Sequence, residues 1–173
     1  MDIGIVGTNF ISEWFVAACR AGSGRVRPTA VCSRDAARGA EFAARMDLPR
    51  SFTTVEEMCE AVDAVYIASP TSAHHAQAMA AIEAGRHVLI EKEMAASDAE
   101  AEAIFAAAER RGVVAMEAAR HLHTPAFREF RRAIGDVGTV RYAHFEMMQY
   151  SSRYGRFLAG EHVNAFDPTL GNA

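Results

Sequence analysis

The stretch Ala68–Ala95, ASPTSAHHAQAMAAIEAGRHVLIEKEMA, constrains the fold more than any other part of the chain. It reads as the end of an apolar run, a Ser-Pro-Thr turn, and an alanine-rich helix from Ser72 to Ala84. A stop at Gly85, a second apolar run over Val88–Ile90, and then Glu91-Lys92 follow. Strand, helix and strand with such short joints pack as a crossover between parallel neighbours. In open parallel sheets, ligands lie beyond the carboxyl ends of the strands. Glu91 and Lys92 fall at such an end.

The alternation extends on both sides. Ile3–Val6 is a short buried strand by length and flanks, ending at Gly7. Ile11–Ala21 has helical periodicity and stops near Gly22. Pro28–Cys32 predicts a second strand, Ala36–Met46 a helix, and Ser51–Thr54 a short extended piece. Thr54 caps a helix over Val55–Ala61, with Glu57 three residues on. Val62–Ser69 is the third clear strand and Val88–Ile90 the fourth. Ser97 caps a helix that Arg110 and Arg111 suit at its negative end and Gly112 stops. Val113–Met116 is a fifth strand, and Thr124-Pro125 starts a helix to Ile134. The pattern predicts an α/β fold, a doubly wound parallel sheet. Beyond Gly138 the character changes. Thr139–Met148, TVRYAHFEMM, alternates like a strand, and Ser151–Ala173 is polar with no helix signal. The expected division falls at Gly135–Gly138, with a doubly wound domain over 1–136 and the beginning of a second, α+β domain over 137–173.

Composition excludes several classes. The net charge of −4 carries no basic footprint for nucleic acid. No apolar run has membrane-spanning length. Phe10–Ala21 has no basic leader and is interrupted by Glu13, so it does not read as a signal peptide. Cys19, Cys32 and Cys59 are scattered without metal-ligand spacing, which suits reduced thiols in a cytoplasmic protein.

The turn after the first strand is Gly7-Thr8-Asn9-Phe10-Ile11-Ser12. A dinucleotide fingerprint would place glycines at 7, 9 and 12, and only the first is present. Asn9 tolerates left-handed backbone and stands in for glycine. The following helix offers free amides to a pyrophosphate. A plain strand-to-helix turn is the alternative. After the second strand, Ser33-Arg34 replaces the acid that would bond a ribose. Guanidinium favours a 2′-phosphate instead, with Arg38 one turn on, so NADP is favoured over NAD. A solvated Arg34 facing Asp35 is the other reading. Ser69-Pro70-Thr71 forms a turn able to lie along a cofactor, followed by His74 and His75. Lys92 is the candidate catalytic residue. Alcohol oxidation releases a proton as hydride leaves, and the reverse reaction requires a proton donor; lysine does either. Glu91 orients a ribose or tunes Lys92. A surface Glu-Lys pair is the alternative.

In this order, GIVGTNFI, ASPTSAHH, AGRHVLIEK and MEAARHLHTPAFRE resemble the glucose-fructose oxidoreductase, inositol dehydrogenase and rhizopine catabolism (Gfo/Idh/MocA) family. QYSSRYGRF and GEHVNAFDPTLG resemble its dihydrodiol-dehydrogenase-like branch. The resemblance implies a Rossmann domain binding NAD or NADP, then a mostly antiparallel sheet domain that covers the nicotinamide and often forms an oligomer interface. It implies small-molecule substrates: sugars, inositols, diols or their keto forms. The family's Glu-Lys-Pro motif falls on Glu91-Lys92-Glu93, which makes Lys92 the substrate and proton-transfer residue. Ser69, Pro70, Thr71 and His74 fall on cofactor-contacting positions, and Arg120 where a nicotinamide neighbour is common.

Two departures stand out. Glu93 replaces the motif's proline, so a trans Lys92–Glu93 bond is expected from the roughly 2.5–4 kcal/mol cost of a non-proline cis bond. Leu170-Gly171-Asn172-Ala173 resembles the start of a Gly-rich turn, after which the family carries a helix with an active-site Asp and His. The expectation is therefore a nicotinamide-dependent oxidoreductase with little turnover from these 173 residues alone. The alternatives are a non-catalytic nucleotide-binding module, or a domain completed by another chain, a second copy included, through the strand at 139–148.

Overall fold

The computed structural model describes residues 1–146, 148, 150–151 and 153–163. Six apolar segments form one sheet: β1 (Asp2–Val6), β2 (Arg27–Cys32), β3 (Arg50–Phe52), β4 (Ala64–Ile67), β5 (His87–Ile90) and β6 (Ala115–Glu117). Their spatial order is β3-β2-β1-β4-β5-β6, and every neighbouring pair is parallel. The chain walks outward from β1 to β3, then returns to place β4 on the other side of β1. That reversal opens a crevice at the carboxyl ends of β1 and β4, the place where such sheets bind ligands.

Helices cover the sheet on two faces because strand side chains alternate. Ile3 and Ile5 of β1, Val31 of β2 and Tyr66 of β4 pack with Val16 of α1 (Phe10–Ala21) and with Phe42 and Ala43 of α2 (Ala36–Arg45). Val65 and Ile67 of β4 and Val88 and Ile90 of β5 face the other way. They meet Met58 of α3 (Val55–Cys59), Ile82 of α4 (His74–Glu83) and Ile104 of α5 (Asp98–Arg111). Each such aliphatic side chain contributes about 1.5–3 kcal/mol when taken fully out of water. Gly4 lets α3 close on β1, since a Cβ there would lie 2.5 Å from the Met58 sulfur.

Short polar residues start the helices, Thr54, Ser97 and Thr124 as their spacing predicts and Asp35 without such a signal. The side chains of Asp35, Thr54 and Ser97 accept from the Arg38, Glu57 and Glu100 amides, and Glu100 reaches back to the Ala96 amide. Gly112 ends α5 in left-handed backbone. Thr124 caps α6 (Pro125–Asp136), where Pro125 occupies the first turn.

Four expectations change. The extended piece near Ser51 is a true edge strand, β3, paired with β2. The helix expected from Ser72 begins with a 3-10 turn over Thr71–Ala73. The strand expected over Thr139–Met148 does not form among the described residues there, 139–146 and 148, which make no ladder. Alternation alone does not make a strand without a neighbour to accept its hydrogen bonds. Finally, a short helix, α7 (Tyr154–Leu158), lies where no helix was expected. The Leu170–Ala173 turn falls outside the described residues.

Candidate functional site at the carboxyl edge of the sheet

The turn after β1 is held tightly to the end of β4. Gly7 has φ +108°, and a Cβ on it would lie 2.8 Å from the Ala68 carbonyl oxygen. Only glycine fits. Its amide donates to the Cys32 carbonyl at 3.1 Å. Asn9 plays a different part from the one expected. Its φ is −94°, so it does not replace a glycine in left-handed backbone. Instead it caps α1. Its Oδ1 accepts from the Ile11 and Ser12 amides (3.0 and 3.2 Å), and its Nδ2 donates to the Ala68 carbonyl (2.6 Å). The short Asn side chain outcompetes the left-handed option because both its ends find partners here. The amides of Thr8, Asn9 and Phe10 take no partner among the described residues. They are the donors this turn offers to a pyrophosphate. Phe10 is half exposed and lies edge-on to Trp14.

At the end of β2, the Ser33 amide donates to the Phe52 carbonyl at 3.0 Å. Arg34 and Arg38 are exposed and form no ion pair among the described residues. The Asp35 carboxylate caps α2 through the Arg38 amide at 3.1 Å, so it does not pair with Arg34. Arg38 lines a cleft of about 210 Å³ with Thr8, Glu41, Phe42 and Arg45. Arg45 also pairs with Glu13. A guanidinium and a threonine hydroxyl thus flank the glycine turn, with Glu41 as the acidic neighbour.

Beyond β4, the Ser69 hydroxyl donates to Gln77 Oε1 at 2.6 Å, and Pro70 leads into the 3-10 turn that begins at the buried Thr71. His74 is 1% exposed, and both its ring nitrogens are taken by main chain. Nε2 lies 2.8 Å from the Ser69 carbonyl and Nδ1 2.8 Å from the Glu93 carbonyl.

Beyond β5, the Glu91 amide donates to the Ile67 carbonyl at 2.8 Å. Its carboxylate accepts from the Tyr66 hydroxyl at 2.6 Å and from the Lys92 amide at 3.3 Å. Tyr66 is 2% exposed and stacks on Phe15 with ring centroids 3.9 Å apart. Burial first, then the Glu91 carboxylate, push its phenol far above the ordinary tyrosine range, while Arg120 opposes the shift. Tyr66 therefore stays protonated and keeps Glu91 aimed. Lys92 is exposed at the crevice edge. It is the chain's single lysine; every other residue among its 18 Lys and Arg is arginine. The Lys92–Glu93 bond is cis, against the trans expectation. Intrinsic preference is only one local term, and the loop is held from both sides by its neighbours.

One of those neighbours was missed in the sequence. Glu117, at the end of β6, accepts the Met94 amide at 2.9 Å. The signal was available: an acid at a strand's carboxyl end, as at Glu91. A cavity of about 380 Å³ lies on the α1 side of this edge. Its walls include Ile11, Phe15 and Tyr66, and its polar groups include Glu91, Glu117 and Arg120. Among the described residues there is no cluster of metal-ligating side chains and no helix long and apolar enough to cross a membrane. Burial raises all three thiols, Cys32 to about 11, and none is in a disulfide.

A parallel sheet with this strand order, a glycine-tight first turn and polar groups gathered at the switch point defines a dinucleotide-binding Rossmann domain. The model of the Gfo/Idh/MocA oxidoreductase family, NAD-binding Rossmann fold, matches residues 1–119, and the chain belongs to that family. It is 41% identical over 170 residues to scyllo-inositol 2-dehydrogenase (NADP(+)) IolU of Bacillus subtilis, covering 97% of this chain and 52% of that protein. It is 32% identical over 148 residues to human trans-1,2-dihydrobenzene-1,2-diol dehydrogenase, covering 83% and 44% respectively. Among solved structures, KijD10, a 3-ketoreductase from Actinomadura kijaniata in complex with NADP and TDP-benzene, superposes with a TM-score of 0.71 at 30% identity. That match covers 79% of this chain and 42% of KijD10. The chain spans about half the length of the curated relatives it matches.

Proposed function

We propose that the chain serves an NAD(P)-dependent oxidoreductase that moves a hydride between nicotinamide and a sugar, polyol or diol, or the corresponding keto form. Residues 1–136 act as the nucleotide-binding domain, and 137–173 open a second, sheet-forming domain. The observation that carries this reading is the placement of the chain's single lysine at the carboxyl end of β5, beside a carboxylate fixed by Tyr66.

The residues present suit the cofactor. The Gly7 turn leaves the Thr8, Asn9 and Phe10 amides for the pyrophosphate. Ser33, Arg34 and Arg38 stand at the adenosine end, with Ser33-Arg34 where an acid would claim the ribose and Asp35 committed to capping α2, which favours NADP over NAD. The Ser69-Pro70-Thr71 turn, Glu91 and Arg120 border the nicotinamide end. When bound, nicotinamide supplies or accepts the hydride. In oxidation the Lys92 amine takes the proton of the substrate hydroxyl; in reduction the ammonium gives its proton to the carbonyl oxygen. Three free thiols, two of them buried, fit a cytoplasmic setting.

Val140, Tyr142, Phe145 and Met148 expose apolar surface at 48–83%. An open apolar groove of about 680 Å³ beside Phe15, Leu89 and Met116 does the same on the sheet. These surfaces favour completion of the site by further protein, a second copy included. The test is titration of the 173-residue chain with NADPH and NADH by nicotinamide fluorescence, with its mass measured in solution. Saturable binding stronger for NADPH supports the reading; no binding of either nucleotide overturns it. Where turnover is detected, Lys92→Ala should abolish it and spare cofactor affinity. Retained turnover would clear Lys92.

A further inference from the structure

We infer that His74 is a positioning residue that sets the place of Lys92 by tying the lysine loop to the turn after β4. The inference rests on the oxidoreductase reading only for the role of Lys92, not for the contacts.

After Ile90 the chain leaves the sheet, and the Glu91 amide makes its last ladder-like bond, to Ile67. The Lys92 amide turns back to the Glu91 carboxylate, and the groups after it are held by side chains from elsewhere. The Glu93 carbonyl meets His74 Nδ1, and the Met94 amide meets Glu117 Oε1. The Met94 side chain is 6% exposed and anchors the loop in the core. Lys92 therefore projects from a segment whose following peptides are pinned on two sides. The second nitrogen of His74 meets the Ser69 carbonyl, at the head of the proposed cofactor turn. One rigid, buried ring thus spans the two loops that flank the crevice. Both partners are carbonyl acceptors, and a neutral ring donates to only one of them at a time. Histidine suits the place because it presents polar atoms on two edges of one plate.

Asparagine and glutamine separate the two bonds. The Asn amide nitrogen falls near Nδ1 and can reach the Glu93 carbonyl; that of Gln falls near Nε2 and can reach Ser69. The experiment uses the cofactor-free 173-residue chain. Amide hydrogen exchange is followed over Glu91–Ala96, and Lys92 is labelled with trinitrobenzenesulfonate and read by peptide mapping. Lys92 being the single lysine, the reagent's other amine target is the N-terminus, which falls on a different peptide. His74→Ala and His74→Gln should speed exchange at Glu93–Ala95 and alter Lys92 labelling by about threefold to tenfold, the range set by one lost hydrogen bond. His74→Asn should stay within about twofold of the parent on both. Equal behaviour of Asn and Gln, or an unchanged loop in a folded His74→Ala, overturns the proposal. If all three variants unfold, His74 is a determinant of the fold and the proposal fails. Glu117→Gln, which releases the other side, should speed exchange at Met94 and thereby confirm that the loop is held by these clamps; no change there also counts against it. No nicotinamide is present, so failed NADPH binding in the separate titration leaves this result standing.

Discussion

Replacing Gly7 by alanine tests the join between the first turn and β4. Two costs are separable. Positive φ alone costs a non-glycine residue about 1–2 kcal/mol. Gly85 shows that cost by itself: its φ is +74° and nothing lies within 4 Å of an added Cβ. At Gly7, φ is +108° and the added Cβ would sit 2.8 Å from the Ala68 oxygen and 3.2 Å from its carbonyl carbon. Both are main-chain atoms of a buried strand end, so neither swings aside. Overpacking of this kind costs about 1–3 kcal/mol more. Gly85→Ala should therefore lose about 1–2 kcal/mol and Gly7→Ala about 2–5 kcal/mol. Relief of the clash moves the turn away from Ala68, which also breaks the 2.6 Å bond from Asn9 Nδ2. NADPH affinity should fall in Gly7→Ala and hold in Gly85→Ala. Urea unfolding at matched slope, with nicotinamide fluorescence on the same samples, measures both effects. If the two variants are equally stable and bind alike, the close approach to Ala68 does not govern the turn.

Three further outcomes follow from the site. Asn9→Ala removes the cap of α1 and its tie to Ala68, and should cost about 1–2 kcal/mol by urea unfolding; a loss below about 0.5 kcal/mol would show the cap to be dispensable. Arg38→Ala should weaken NADPH about tenfold, the loss of one charge-assisted bond, and leave NADH within about twofold; equal losses would remove Arg38 from the 2′-phosphate. Cys32 is held near 11, above the ordinary thiol value of 9.0, by burial and then by Glu56. The folded value is the higher one, so the stabilisation is present below pH 9 and is lost as pH rises toward 11. A shift of that size is worth at most about 2.7 kcal/mol, and Cys32→Ala should flatten that part of the stability profile; an unaltered profile would refute it.

The order of strands and helices was legible in the residues because apolar runs, caps and glycine stops are local features. Thr54, Ser97 and Thr124 cap helices whose starts their own spacing announces. Lys92 was legible too, since a lysine two residues past an apolar run in this alternation falls at a strand's carboxyl end. The failures were of a different kind. Thr139–Met148 alternates like a strand, but strand formation depends on a partner that local sequence does not contain.

Asn9 looked like a glycine substitute, but the Ala68 carbonyl, 59 residues away in sequence, makes it a two-ended cap. His74 was read as a cofactor neighbour, and only folding shows that its two ring nitrogens lie against the Ser69 and Glu93 carbonyls. Glu117 drew no notice because its partner, the Met94 amide, lies 23 residues back. Sequence by itself therefore determined the class of fold and which residues stand at the carboxyl ends of the strands. Tertiary structure decided which polar groups are free to meet a ligand and which are consumed in holding the loops. A side chain's hydrogen bonds depend on what folding brings within about 3 Å, and that neighbour need not be close along the chain.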